Sequence, residues 1–431
     1  MPGLVAASDG RAAARTAGRR RGAAAGFSIR AGVTTASWPR RAADASVTRL
    51  CTRPRAGTLV ACPGTRFPAG HRHASHSAAP GSRVNGAVPA FADLGDGLLV
   101  LVLVVAALVI LVVGIRLSRV AEALARATGL GEAVVGGALL GASTSLSGAV
   151  VSVSAAGAGA VDLAASNAVG GIAAQTFFLA VADLCHRGAN LEHAAASTEN
   201  MANAALLALM LALVLLYPYL PDWQIAGVFV GTPLLFAVYI GGLRGVARIR
   251  TQPMWLPLRT RHTRLEPVAA VAGVAAGSRC RLLLEFVPLA AIMAVAGWLV
   301  AAAGVECAAR LEARQSVVGA LLTAVITSLP ELVTTLAAVR IGALQLAVGG
   351  IIGGNTFDVL FLAFADVAYR DGSLYHAIAA DVTFWIVLSL VMTAVLSYGL
   401  VRRERHGPAN IGSESLAVLA IYLGALFLQL G

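Results

Sequence analysis

The pentapeptide Thr327-Ser328-Leu329-Pro330-Glu331 lies in one of the most apolar stretches of this 431-residue chain. Thr144-Ser145-Leu146-Ser147-Gly148 echoes it 183 positions earlier. The register continues without a gap, matching Asp183 with Asp366, Arg187 with Arg370, Leu191 with Leu374 and His193 with His376. A long self-match at fixed spacing in an apolar chain marks an internally duplicated membrane protein. In such folds the binding site tends to lie where the copies meet, near mid-bilayer. A carboxylate held there is costly, which makes it a functional candidate by default. Copy two has that carboxylate, Glu331; copy one has Gly148.

Composition fixes the class. Hydrophobic residues make up 58% of the chain and charged residues 13%, against roughly a quarter charged in soluble domains. The formal charge of +11 is local, because residues 1–90 hold fourteen arginines against Asp9 and Asp44. The remaining 19 basic and 20 acidic groups nearly cancel. The basic balance therefore implies no nucleic-acid partner. The leader 1–90 lacks apolar periodicity and is expected to be disordered. It fits either an organelle transit peptide or translation from an upstream start in a GC-rich genome, since the chain contains no lysine. Cys51, Cys62, Cys185, Cys280 and Cys307 are scattered, without a CxxC pair, so neither a zinc site nor a disulfide framework follows.

About 20 apolar residues span a bilayer as a helix. That ruler predicts spans near 95–116, 133–157, 161–184, 201–219, 224–243, 282–304, 316–339, 343–368, 378–399 and 412–430. The expected fold is an all-α polytopic membrane protein of about ten transmembrane helices. Five helices per copy force the copies into opposite orientation, as two inverted repeats. The first repeat half would occupy 95–243 and the second 282–431, joined by a basic tether over 244–281. Arginines follow the first, third, fifth, seventh and ninth helices (Arg116, Arg187, Arg244, Arg340 and Arg402 among them). That side is expected to be cytoplasmic. The base-free connection Tyr217–Trp223 would lie outside, with interfacial aromatics.

In copy two, Thr327 and Glu331 share a helix face, with Ser328 alongside. Pro330 cannot donate to the carbonyl of Ile326 and is expected to bend the helix. Hydroxyls, freed carbonyls and a carboxylate make the oxygen cage that hard cations such as Na⁺ and Ca²⁺ prefer. Farther on, Gly349-Gly350-Ile351-Ile352-Gly353-Gly354-Asn355-Thr356-Phe357-Asp358 allows close backbone approach and local unwinding. Asp358 is the second intramembrane carboxylate, and Asn355 is placed to orient it. Asp183 and Asp366 are expected to pair with Arg187 and Arg370 at helix ends, and His193 and His376 to be surface residues. Glu285 and Glu199 would reach the interface, whereas Asp381 would sit deeper.

These residues resemble the cation/calcium antiporter superfamily, the sodium/calcium exchanger-like proteins, whose repeats read approximately G-T-S-x-P-E and later G-N-x-x-G-S-N-x-x-N/D. The resemblance covers nearly all of 95–431 and is specific at Thr327, Ser328, Pro330, Glu331, Gly349, Gly353, Asn355 and Asp358. It implies a diamond of cation ligands, two from each copy, within hydroxyls and carbonyls. Carried over residue by residue, the metal site is Glu331, Asp358, Thr327, Ser328, Thr144, Ser145, Gln175 and Asn355. Copy one departs from the pattern: Gly148 replaces the glutamate, Ser147 the proline, Gly171 the serine and Ile172 an asparagine, while Gln175 takes the amide position. Gly354 likewise replaces the serine of copy two and Gly350 an asparagine. Both carboxylates then come from one half.

A divalent ion in low dielectric needs close to two compensating charges. Glu331 and Asp358 supply them if both ionise, but two close carboxylates can also share a proton. The implied activity is exchange of Ca²⁺ against Na⁺, both transported rather than held as cofactors, in the cell (inner) membrane. Proton- or monovalent-coupled antiport is the alternative that Gly148 raises. A transport-inactive paralogue with a scaffold or regulatory role is the third. The sequence carries no nucleotide-binding loop: the glycine run follows helix and lacks a P-loop lysine. Inorganic cations and the lipid bilayer are the expected partners.

Overall fold

In hydrocarbon every backbone N–H and C=O must find a partner within the segment, so apolar runs of this length become helices. A computed structural model describes residues 89–128, 137–186, 189–258, 260, 263, 276–405, 407 and 411–430. The expectations for the leader up to residue 88, for Cys51, Cys62 and Arg187, and for most of 259–275 fall outside the described residues.

The first half comprises α1 (Pro89–Ala92), α2 (Asp96–Thr128), α3 (Gly137–Thr144), α4 (Leu146–Gly157), α5 (Val161–Cys185), the single turn α6 (Leu191–Ala194), α7 (Thr198–Leu216) and α8 (Gly231–Thr251). The second comprises α9 (Ala276–Arg310), α10 (Gln315–Val317), a π-helical stretch Val318–Thr323, α11 (Ala324–Thr327) and α12 (Leu329–Arg340). It continues with α13 (Leu344–Asp358), α14 (Leu360–Ala368), α15 (Leu374–Ala377), α16 (Ala380–Arg402) and α17 (Ser413–Leu430). Among the described residues seven helices are long and apolar enough to cross a membrane, or eight if Gln315–Thr327 and Leu329–Arg340, bent by 49°, form one span. The α3–α4 pair, broken at Ser145, and α8, with Arg248 and Arg250 in its last turn, occupy the two remaining places of the ten-helix plan. The chain is an all-α multi-pass membrane protein, and the ten-helix plan agrees with it.

Several boundaries move. The fifth apolar run was expected at 224–243, but Gln224–Ile225 pairs antiparallel with Val228–Phe229 and the helix starts only at Gly231. Ala226 and Gly227 between those strands both have positive φ (54° and 79°). Two such residues in succession match the twist of a hairpin. The glycine that permits this conformation ends any helix there. At the other margins, α2 runs on to Thr128 and α9 spans Ala276–Arg310 through Pro288.

The repeat is kept in three dimensions. α4 and α12, α5 and α13, and α6 and α15 each begin 183 residues apart. The equivalent helices α2 and α9 pack antiparallel, since Arg116 pairs with Glu285 at one end and Arg310 with Asp96 at 2.6 Å at the other. Antiparallel packing of equivalent helices is what an inverted repeat requires. These outer helices carry the exposed apolar side chains, including Leu101, Leu108, Val112, Leu284 and Val295, as a surface facing lipid would. α5 and the α13–α14 rod are the most enclosed spans, 78% and 72% buried.

Asp366 does not match the ion-pair expectation with Arg370, and that of Asp183 with Arg187 lies outside the described residues. Asp366 Oδ1 accepts from the Leu374 amide (2.9 Å), and its Oδ2 from the Phe229 amide (3.0 Å) and the Thr232 hydroxyl (2.6 Å). Asp183 repeats this on the Leu191 amide (2.7 Å) and the Gly412 amide (2.9 Å), while Ser415, at the position of Thr232, donates to the neighbouring Glu192. Each aspartate thus fastens the final helix of the opposite half. Full burial explains the choice: backbone donors inside the protein need an acceptor, whereas an arginine at a helix end can stay hydrated. Asp366→Ala strands those donors and is expected to cost at least about 2 kcal/mol, read as a lower melting temperature in detergent. An unchanged melting temperature would show that the clasp contributes nothing.

Other charges also settle differently. Asp381, expected deep, sits in the first turn of α16 and pairs with Arg314 at 3.0 Å, its side chain 38% exposed. His193 is buried rather than superficial, its ring between the Arg403 carbonyl (2.7 Å) and the Thr260 hydroxyl (2.9 Å). His376 makes the equivalent contact with the Leu220 carbonyl. Glu285 pairs with Arg116 and Glu199 with Arg250, as interfacial residues would.

Candidate functional site

Both halves break a helix at the same serine. Ser145 has φ −89°, ψ 7° and Ser328 has φ −94°, ψ 4°. Proline was expected to cause the bend, and Pro330 does stand at the start of α12. Copy one breaks identically with Ser147 in its place, so the proline is not required. In copy two the break follows the π-helical stretch Val318–Thr323, a distortion frequent at functional sites.

The two breaks face the middles of α5 and α13. Gln175 and Asp358, repeat equivalents, meet directly, with Gln175 Nε2 donating to Asp358 Oδ2 at 2.6 Å. The same amide reaches Ser328 Oγ at 3.4 Å, and Ser145 lies against Asp358 in the mirrored contact. Ser145 Oγ also lies 3.5 Å from Glu331 Oε1, and Thr144 faces the same carboxylate. All eight residues predicted for the site are buried. The structure brings Glu331, Asp358, Gln175, Ser145, Thr144 and Ser328 together across the interface between halves.

Thr327 and Asn355 have other partners. Thr327 Oγ1 donates to the Thr323 carbonyl at 3.0 Å, as Thr144 does to Gly141; each hydroxyl keeps its lone pairs for another ligand. Asn355 does not orient Asp358: its Nδ2 donates to Thr176 Oγ1 at 3.0 Å. The four glycines do not unwind the helix, since α13 is continuous from Leu344 to Asp358. They serve close approach instead. A Cβ on Gly354 would lie 3.4 Å from Gln175 Oε1, and one on Gly349 only 2.8 Å from Asn200 Oδ1.

Three buried acceptors here have no hydrogen-bond partner, Glu331 Oε2, Asp358 Oδ1 and Gln175 Oε1, and Asn355 Oδ1 on α13 is likewise unpartnered. Buried acceptors left unmatched cost free energy. A group of them with no donor to share suits a cation that takes oxygen ligands. Among the described residues no group of three or more His, Cys, Asp or Glu is arranged to hold a metal ion. The set is two carboxylates with amide and hydroxyl oxygens, fitting a hard cation rather than zinc.

Gly148 is not an open socket. A Cβ there would lie 2.8 Å from Phe361 Cε2 and 3.5 Å from Thr327 Oγ1. The Phe361 ring therefore stands beside the place of the missing glutamate. Sequence reasoning did not find Phe361, because its equivalent Phe178 is the same residue and signals nothing. It also passed over the brace beneath the break, where Asn167 donates to the Gly148 carbonyl and Ser152 (3.0 Å each) and accepts from Thr323 (2.8 Å). The partners of Asn167 come from distant turns, which the order of residues along the chain does not reveal.

A multi-pass carrier with two broken helices around buried acceptors is the class these features define. The sodium/calcium exchanger protein family matches residues 98–242 and 282–431, and the chain belongs to that family. Among solved structures it is similar to the sodium-calcium exchanger NCX_Mj soaked with Na⁺ and without Ca²⁺ (18% identity, 77% of this chain and 98% of that one, TM-score 0.51). It is also similar to the H⁺/Ca²⁺ exchanger CAX (13% identity, 79% and 84%, TM-score 0.57). These likenesses show the fold. Among curated proteins none matches the chain.

Proposed function

We propose that residues 96–430 form a secondary antiporter that carries Ca²⁺ against Na⁺ across the cell (inner) membrane by alternating access. The observation that supports this most is the set of partnerless buried oxygens where the helix breaks face α5 and α13: Gln175 Oε1 from the first half, and Glu331 Oε2 and Asp358 Oδ1 from the second. Glu331 and Asp358 supply two negative charges, enough to offset a divalent ion in low dielectric. Gln175, Ser145 and Thr144 from the first half complete an oxygen shell. A cation bound between the halves is exposed to one side or the other as the halves rock. Such a site also argues against a purely scaffolding role.

A second reading, H⁺ as the counter-ion, is favoured by Gly148 and by the Phe361 ring beside it. With one glutamate lost, the site has less charge to offer a group of Na⁺ ions, while two carboxylates can exchange a divalent ion for protons. An H⁺/Ca²⁺ exchanger shares the fold. Uptake of radiolabelled Ca²⁺ into proteoliposomes under an imposed Na⁺ or H⁺ gradient separates the readings. Uptake driven by Na⁺ alone supports the first, and uptake driven by H⁺ alone the second. Absence of gradient-driven uptake of any cation would refute both.

A further inference from the structure

Away from the transport site, the two clasps that fasten the final helices differ in one respect. In the second half Asp366 shares its clasp with Tyr375, whose hydroxyl lies 3.4 Å from Thr232. The equivalent of Tyr375 in the first half is Glu192. Glu192 is 4% exposed, and Asp183 beside it is fully buried. Ser415 Oγ donates to Glu192 Oε1 at 2.6 Å, and Oε2 has no partner. That orphan oxygen points at the space above Gly412. A Cβ there would lie 2.8 Å from Glu192 Oε2 and 3.4 Å from Asp183 Oδ2. The first-half clasp therefore encloses two carboxylates where its twin encloses one.

Among the described residues, no salt bridge reaches Asp183 or Glu192. On α17, Glu414 adds a third acid, but Arg402 holds it at 3.1 Å and also reaches Glu404. Gly399 of α16 makes room for the stems of both Glu192 and Glu414. His186 acts on Asp183 from the end of α5, and the His193 ring turns to the Arg403 carbonyl and Thr260. Arg403 spends its guanidinium on the Leu258 and His193 carbonyls and on Thr263. α13 meets α6 through apolar residues such as Leu344 and Val348, and its own acid, Asp358, belongs to the transport site. Two buried anions side by side, held by neutral donors and one histidine, are costly. The enclosed space and the single free oxygen suit the smallest cation.

We propose that Glu192 and Asp183 hold one proton between them, making the clasp at the start of α17 a proton-binding site separate from the transport site. Losing the proton places two negative charges under the Gly412 amide and Ser415, and loosens the docking of α17. The site lies at the end of α5 that the arginine distribution marks as cytoplasmic. Burial first, then the charge of Asp183, pushes Glu192 up to about 7 from its ordinary 4.5. A carboxyl raised in this way contributes stability that is full below about pH 4.5 and lost as pH rises through about 7.

Infrared titration of the purified, full-length protein in detergent tests this. A protonated-carboxyl band with a midpoint near pH 7 is expected in the native protein and lost in Glu192→Gln. In Asp183→Asn, which removes the neighbouring charge, the same band should titrate at lower pH. The melting temperature of the native protein should fall relative to that of Glu192→Gln between about pH 5 and pH 8. If Glu192→Gln does not fold, Glu192→Tyr, which copies the twin clasp, gives the same comparison. Native and variant proteins that titrate alike, with parallel melting curves, would overturn the proposal. These readouts do not involve transport, so they stand apart from the antiport reading.

Discussion

Glu331→Gln is expected to reduce divalent cation affinity about 100-fold or more, and Ca²⁺ flux with it. The substitution keeps the size of the side chain and the contact with Ser145, 3.5 Å from Oε1, so packing should survive. What it removes is half of the charge that offsets a divalent ion in a site 8% exposed or less. Unpairing one charge of a buried set costs about 3–5 kcal/mol, and each 1.4 kcal/mol is a factor of ten in binding. Glutamine also brings two donors toward Thr144 and Ser145, which suits a neutral site and not a cation. Flux and equilibrium Ca²⁺ binding, measured on the same preparation, should fall together. Unchanged flux with a correctly folded variant removes Glu331 from the site.

The second large effect concerns the missing glutamate. Gly148→Glu alone is not expected to tighten binding, because its Cβ would enter the space of Phe361 Cε2 at 2.8 Å. Overpacking of that kind costs about 1–3 kcal/mol, so the single variant should melt earlier. Combined with Phe361→Ala, the new carboxylate has room and Thr327 before it, as Glu331 has Thr144. The double variant should bind divalent ions at least about tenfold more tightly than Phe361→Ala alone, equivalent to about 1.4 kcal/mol. Weaker divalent binding in the double variant would mean that the first half has been rebuilt around Gly148 and no longer mirrors the second.

Much of this architecture is legible along the chain because the duplication is ungapped. An exact offset carries Thr144–Ser145 onto Thr327–Ser328, and Gln175 onto Asp358, so the pairing of Gln175 with Asp358 at 2.6 Å follows from the repeat. Apolar length places the long spans, and the resemblance to exchangers rests in part on Ser328, Glu331 and Asp358, which lie together in the site. The chain hides whatever depends on contacts between distant turns. Asn355 looks like a partner of Asp358 at helical spacing, yet Thr176 on the facing helix takes its amide. Asp366 looks like a partner of Arg370, yet buried amides from Phe229 and Leu374 compete better for its oxygens. The hairpin at Gln224–Phe229 is masked by its own hydrophobicity, since Ile225, Val228 and Phe229 read equally well as helix. Phe361 hides for a different reason: an aromatic beside an absent side chain leaves no mark in either copy.

The most direct measurement is anomalous scattering from crystals of the full chain soaked with Ca²⁺. A peak is expected within ligand distance, about 2.3–2.6 Å, of Glu331 and Asp358 oxygens, with Gln175 or the Ser145 hydroxyl completing the shell, and its loss in Glu331→Gln. Calcium bound only elsewhere, while those carboxylates contact protein groups alone, would contradict it.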